Sequence, residues 1–184
     1  MKLGGEAPEL DAIDLRILSI LQEHAKIAHV KLAELVGLSA PSVIERVKKL
    51  EDGGVIVGYH AAVDAKRLGK DVTAFIGVSI AHPKTVNLFE ETIELVDDVL
   101  ECHHITGEHT LLLKVKTANT TTLEELIRTI RLVEGVTRTE TMVVLSTHTE
   151  RTQIAVHAEE SSEPGNGRRH RQGAKNGLGE SKRT

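Results

Sequence analysis

Apolar residues in the stretch AIDLRILSILQEHA recur as Ile13, Ile17, Leu18 and Leu21. That spacing gives one face of an amphipathic helix, and Asp11 is placed to cap its start. After KIAH, a second short helix, VKLAELV, turns Leu32, Leu35 and Val36 inward, and Gly37 supplies a helix-ending position that tolerates positive φ. A third helix follows at once. Ser39 caps it, and Pro41 occupies its first turn, where a missing N–H costs nothing. Val43, Val47 and Leu50 form its buried stripe with Ile44 beside them, while Ser42, Glu45, Arg46 and Lys49 face out, Lys48 lies on the flank and Gly53-Gly54 ends it. Two short helices joined by a tight glycine turn, the second basic outside, make a helix-turn-helix unit whose second helix enters the major groove N-terminus first. Small Ser39, Pro41 and Ser42 permit close approach, and Arg46 and Lys49 reach bases or phosphates. The same spacing also suits a plain helical hairpin with a solvated basic face.

Beyond residue 70 the period changes. VIVGYHAAVDAKRLGK reads as an extended segment and loop. In DVTAFIGVSIA, Val72, Ala74, Ile76, Val78 and Ile80 then alternate with Thr73, Phe75, Gly77 and Ser79, a strand with two distinct faces. Pro83 opens a helix with Val86, Phe89 and Ile93 inward; VLECHHIT and HTLLLKVKT form two strands about a turn at Gly107. TTLEELIRTIRLVEG is a second helix with Leu123, Ile127 and Ile130 inward, and VTRTETMVVLSTHTE is the last strand. The order βαββαβ is the ferredoxin-like motif, whose helices cover one sheet face and leave the other free, so pairing with a second copy through the sheets is expected. The fold class is α+β: a helix-turn-helix (winged-helix-like) domain joined to a ferredoxin-like domain. The expected boundaries are an N-terminal arm at 1–9, the helix-turn-helix domain at 10–60, a linker at 61–70, the ferredoxin-like oligomerisation domain at 71–151 and a disordered tail at 152–184.

Composition refines this picture. The 184 residues carry 23 Lys and Arg against 27 Asp and Glu, a net charge of −4, so any nucleic-acid affinity comes from a local patch rather than the global field. The tail from Thr152 is rich in Gly, Ser, Glu and Arg, too poor in apolar residues to offset ordering entropy. It is itself net basic, and its cluster Arg168, Arg169, His170 and Arg171 reads as part of a solubilising segment or as a source of non-specific phosphate contacts. A lone Cys102 rules out an internal disulfide framework and fits a reducing cytosol. With no signal-peptide pattern and no long apolar run, the expectation is a cytoplasmic, nucleoid-associated protein without membrane contact. Cys102, His103, His104 and His109 invite a zinc reading, but strand pleating sends 102 and 104 to one face and 103 to the other. Neither a metal nor a cofactor is expected. No phosphate loop, nucleophile–base arrangement or paired catalytic carboxylates appear, which argues against the general enzyme classes.

The stretch LDAIDLRILSILQEHAKIAHVKLAELVGLSAPSVIERVKKLEDGGVIVGY closely resembles the N-terminal domain of the Lrp/AsnC family of transcription regulators. The matching elements are LD..D..IL..LQ, the LA..VGLS turn and the ERVKKLE..G.I.GY ending, in the right order and spacing, and the resemblance runs on to residue 150. It places the helix-turn-helix motif between His29 and Lys48. The candidate contacts to double-stranded DNA are Lys31, Ser39, Pro41, Ser42, Arg46, Lys48 and Lys49. It implies a homodimer assembling to a tetramer or octamer, and a small effector, typically an amino acid, held between subunits. The effector loop would be Ile105, Thr106, Gly107, Glu108, His109 and Thr110, faced by Met142, Val143 and Val144 of a neighbouring last strand. Two departures stand out. Pro41 comes one place later than is common in the family and Ile44 is apolar, so the operator sequence does not carry over. The loop reads G-E-H-T, with Thr110 where many relatives have Asp and Glu108 as its only acid. A hairpin without a ligand therefore stays open beside the effector reading. The alternatives to a sequence-specific regulator are a siroheme-decarboxylase-like enzyme, whose HN-aromatic signature this hairpin lacks, and an effector-independent DNA-architectural protein.

Overall fold

The computed structural model describes residues 9–156, and the basic cluster at 168–171 lies outside the described residues. These residues divide into two compact units, one formed by the chain up to Gly58 together with the segment from Gln153, the other by Tyr59–Thr152. Among the described residues no helix is long and apolar enough to cross a membrane.

The first unit holds α1 (Ala12–Glu23), α2 (His29–Val36) and α3 (Ala40–Asp52). Asp11 starts α1 through a capping box: its carboxylate accepts the N–H groups of Ile13 and Asp14, and the Asp14 carboxylate accepts the Asp11 N–H. Gly37 closes α2 in the left-handed region at φ 73°, which turns the chain sharply into Ser39, the N-cap of α3. Ile17, Leu21, Leu32, Ala33, Val43, Val47 and Leu50 form the core, and Val55 and Ile56 fold back onto it through N–H bonds to the Leu50 carbonyl. Each fully buried Leu, Ile or Val contributes roughly 1.5–3 kcal/mol relative to exposure. Two expectations change here. Leu35 is 41 % exposed, and Ala33 takes its inward place, because Leu32, Ala33 and Val36 share one side of the helix and residue 35 falls outside that arc. Ile44 is likewise turned to solvent. After residue 152 the chain continues in order for a few residues: Gln22 exchanges hydrogen bonds with Gln153 and with both the N–H and the carbonyl of Ile154.

The second unit begins with an exposed run and a short 3-10 turn, Lys66–Leu68, in which the Asp64 carboxylate accepts the N–H groups of Lys66 and Arg67. It then builds β1 (Val72–Ile80), α4 (Pro83–Glu94), β2 (Val99–His104), β3 (Leu111–Thr117), α5 (Thr120–Leu132) and β4 (Val136–Val143). The sheet order is β2-β3-β1-β4 and every pairing is antiparallel. Ala74, Ile76 and Val78 of β1 and Leu111, Leu113 and Val115 of β3 pack on Phe89 and Ile93 of α4 and on Leu123, Leu126 and Ile130 of α5. Leu126 rather than Ile127 completes the α5 stripe; Ile127 is half-buried at its edge. The alternation that fills this core sends Phe75, Gly77 and Ser79 to the opposite face. Pairing brings Leu112 and Lys114 from β3, and Arg138, Glu140 and Met142 from β4, onto that same uncovered face.

Candidate functional site

In the first unit the helix-turn-helix geometry is built as the spacing predicts. Ser39 Oγ accepts the Ser42 N–H at 3.3 Å and lies 2.8 Å from Ser42 Oγ, so both hydroxyls are engaged at the start of α3. Pro41, Lys48 and Lys49 are exposed and Ser42 is half-buried. Lys31 on α2 is exposed and pairs with Glu34 at 2.7 Å. Arg46 is the exception. Its Nη1 donates to Asp11 at 2.7 Å and to Asp14 at 2.8 Å, so the guanidinium points at the start of α1 rather than outward. The placement of Arg46 on the outer face is therefore corrected. Residue 46 lies only about 60° around the helix from the buried stripe, and the two α1 carboxylates hold the long side chain there. The Asp14 side chain is 5 % exposed, so this is a nearly buried carboxylate held by a charge-assisted bond. The Asp14 backbone N–H and the Arg46 guanidinium hold the Asp11 carboxyl below its ordinary value, and the two carboxylates raise Arg46. Sequence reading missed Asp14, although a second acid three places after a cap aspartate is the signature of a capping box.

In the second unit the hairpin between β2 and β3 carries the G-E-H-T loop. Gly107 sits at φ 126°, a backbone conformation that L side chains rarely adopt. Thr110 anchors the loop to β1: its N–H donates to the Val78 carbonyl, its Oγ1 accepts the Ile80 N–H, and its carbonyl accepts the Ile105 N–H. A group in that position is structural here. Glu108 ion-pairs with Arg138, which also reaches Glu140 at 3.2 Å, and the guanidinium holds the Glu108 carboxyl below its ordinary value. His109 folds onto the uncovered sheet face, its Nδ1 3.1 Å from Ser79 Oγ and its Nε2 3.2 Å from Glu140. It fills the space left by Gly77, where a Cβ would stand 2.4 Å from the imidazole. Ile105, Met142 and Val143 are all exposed, and Val144 donates its N–H to the Thr73 carbonyl. Thr106 is exposed at the loop tip.

The residues that sequence reading overlooked are Gly77, Ser79, Arg138 and Glu140. A glycine inside a strand of large side chains was the available signal. The four residues of the zinc reading are not gathered: His104 bonds Glu90 on the helix side at 2.7 Å, and His103 bonds Glu101 at 3.1 Å on the other side. Burial pushes the Cys102 thiol up. A different trio, Glu108, His109 and Glu140, brings ligand atoms within 4.8 Å of one another, but Arg138 already supplies both its carboxylates with a cation.

A helix-turn-helix unit whose second helix has an exposed outer side, joined to a ferredoxin-like unit with a charged hairpin on its uncovered face, is the architecture of a DNA-binding regulator with a second, separate domain. Comparison with known proteins agrees. Residues 10–51 match the AsnC-type helix-turn-helix domain, and residues 73–154 match the Lrp/AsnC ligand binding domain. The uncharacterized HTH-type transcriptional regulator YezC of Bacillus subtilis is 44 % identical over 74 % of this chain and 94 % of its own. The Leucine-responsive regulatory protein of Rhizobium meliloti is 38 % identical over 76 % of this chain and 87 % of its own. A transcriptional regulator from Neisseria meningitidis, solved in complex with L-Met, superposes with a TM-score of 0.77 at 29 % identity, covering 80 % of this chain and 97 % of that one. The chain belongs to the Lrp/AsnC family and is a transcriptional regulator of that type.

Proposed function

We propose that the protein binds operator sites in double-stranded DNA and responds to a small effector, an amino acid in the first instance, held between subunits. The observation that carries the reading is the outer side of α3: Pro41, Lys48 and Lys49 exposed beside the Ser39–Ser42 cap, on a helix whose inner side is fully occupied by core residues and the Arg46 clamp. Ser39, Pro41 and Ser42 come close to the duplex, with Lys31, Lys48 and Lys49 as phosphate or base donors. Arg46 acts one step back, fixing the angle of α3 against α1. A homodimer presents two such helices to half-sites on one duplex face, and assembly to a tetramer or octamer brings further helices to the nucleoid-bound complex.

The effector reading rests on the hairpin. Ile105, Thr106, Gly107, Glu108, His109 and Thr110 form the loop, and Met142, Val143 and Val144 of a neighbouring subunit close it. An amino acid offers a carboxylate to Arg138 and an ammonium to Glu108 or Glu140, exchanging with the ion pairs that these groups make among themselves. The neighbour with bound L-Met supports this class of ligand. The relatives are regulators, and no step of catalysis is assigned to the chain.

The test is a gel-shift titration of the full chain on duplexes it enriches from a random pool, against unselected duplex, at two salt concentrations, with and without a mixture of the common amino acids. Selective binding that shifts with the mixture supports both halves of the reading. Equal binding to all duplexes removes the operator reading in favour of an architectural protein, and an absorption band from a bound tetrapyrrole would move it to the decarboxylase class.

A further inference from the structure

The ridge of α3 opposite the Arg46 clamp contains an unexpected chemistry. Pro41, Ile44, Glu45 and Lys48 stand at i, i+3, i+4 and i+7, one continuous line along the helix, and all four are exposed. Ile44 is 48 % exposed although the core of this unit is complete without it. Neither Ile44 nor Glu45 has anything to offer a phosphate, and Glu45 repels one. The phosphate-seeking groups, Lys48 and Lys49, come a turn later. A ridge meant only to ride on the backbone of a duplex would not place an aliphatic and an acidic side chain at its centre. Both fit base edges. In the major groove the C5-methyl of thymine is the apolar group among the hydrogen-bonding edges, and cytosine N4 is a donor suited to a carboxylate. Ile44 is β-branched and helical, so its first torsion is nearly fixed and little rotamer freedom is lost on contact.

We infer that Ile44 is a specificity-determining residue that packs against a thymine C5-methyl group in each operator half-site. The inference rests on the operator reading above. Ile44 selects the base by shape and apolar contact, whereas a lysine contact to phosphate binds any sequence alike.

The experiment takes the full chain, enriches duplexes from a random pool, and measures affinity by fluorescence anisotropy on the best duplex with each thymine replaced in turn by deoxyuridine, which removes the methyl alone. One position per half-site loses about fourfold in affinity, the value of one buried methyl-sized group, and roughly fifteenfold when both half-sites are changed. Ile44→Ala binds the thymine and deoxyuridine duplexes equally, with an unchanged melting curve because the side chain lies outside the core. Ile44→Val keeps the discrimination. Neutral replacement of every thymine, or discrimination that survives Ile44→Ala, overturns the assignment while leaving operator binding intact. No enrichment from the pool overturns operator binding itself, and this assignment with it.

Discussion

Replacing Arg46 with Ala separates a structural arginine from a DNA-contacting one. The guanidinium bridges two carboxylates, Asp11 half exposed and Asp14 almost enclosed. Its removal leaves Asp14 with the Asp11 N–H at 3.2 Å as its remaining hydrogen bond. Breaking a fully buried pair costs about 3–5 kcal/mol, and an exposed one about 0–1 kcal/mol. With one partner buried and Arg46 itself 30 % exposed, the expected loss is about 2–3 kcal/mol. In a unit of this size that lowers the melting midpoint of the helical domain by roughly 10–20 °C, followed by far-ultraviolet circular dichroism. The double variant Arg46→Met with Asp14→Leu regains much of the loss, since replacing both partners removes the orphaned charge. Operator affinity, measured where Arg46→Ala retains its native signal, stays within about threefold of the parent. A direct guanidinium contact to a base would instead cost about five- to 150-fold. An unchanged midpoint together with a large affinity loss would refute the clamp and return Arg46 to the DNA surface.

Other perturbations reach different parts of the molecule. Ser39→Ala removes the α3 cap and lowers stability by about 1 kcal/mol in urea unfolding, with weaker operator binding from the frayed helix start. Gly77→Ala drives a methyl into His109, costing about 1–3 kcal/mol and breaking the Ser79 and Glu140 contacts, so the effector shift in a gel-shift titration disappears while basal binding persists. Gly107→Val strains a φ of 126° by roughly 1–3 kcal/mol with no steric clash, and abolishes effector response without unfolding the second unit, which melting curves check. Asp11, Glu101, Glu108 and Glu150 all titrate below their ordinary values of 3.8 for Asp and 4.5 for Glu. A depressed carboxyl favours the folded state above its unfolded pKa and loses that contribution as pH falls through the folded pKa. Stability from these groups is therefore level from pH 7 down to about 5 and falls below about 4, in a series of melting curves.

Most of the architecture could be read from periodicity because each element has a single buried face. The stripes Val43–Val47–Leu50 and Val86–Phe89–Ile93 and the alternation in β1 follow directly from helix and strand geometry. Leu35 and Ile127 misled for the same reason as each other: several apolar residues crowd one side of a short helix, and tertiary angle decides which ones are covered. Arg46 is a harder case. A helical wheel shows it beside the stripe, but only the fold brings Asp11 and Asp14, some thirty residues earlier, within reach. The hairpin shows the same limit. Glu108 and His109 were visible as candidates, whereas their partners Arg138, Glu140 and Ser79 come from strands whose register no local pattern specifies.

That register bears on how an effector would act. Arg138, Glu108 and Glu140 form a set of one cation and two anions that is already paired, and His109 is locked into it from the side. A zwitterion entering the loop therefore gains only the difference between its own ion pairs and those it displaces, so modest affinity is expected from the charges alone. Discrimination among amino acids falls to what their side chains touch, and the exposed apolar groups beside the network are Ile105 and Met142. Shortening Met142 to Ala should then weaken response to large aliphatic or thioether amino acids and leave response to glycine or alanine unchanged, read by thermal shift across a panel of amino acids. A uniform loss across the panel would show that the backbone of the loop, and not the apolar rim, sets the preference.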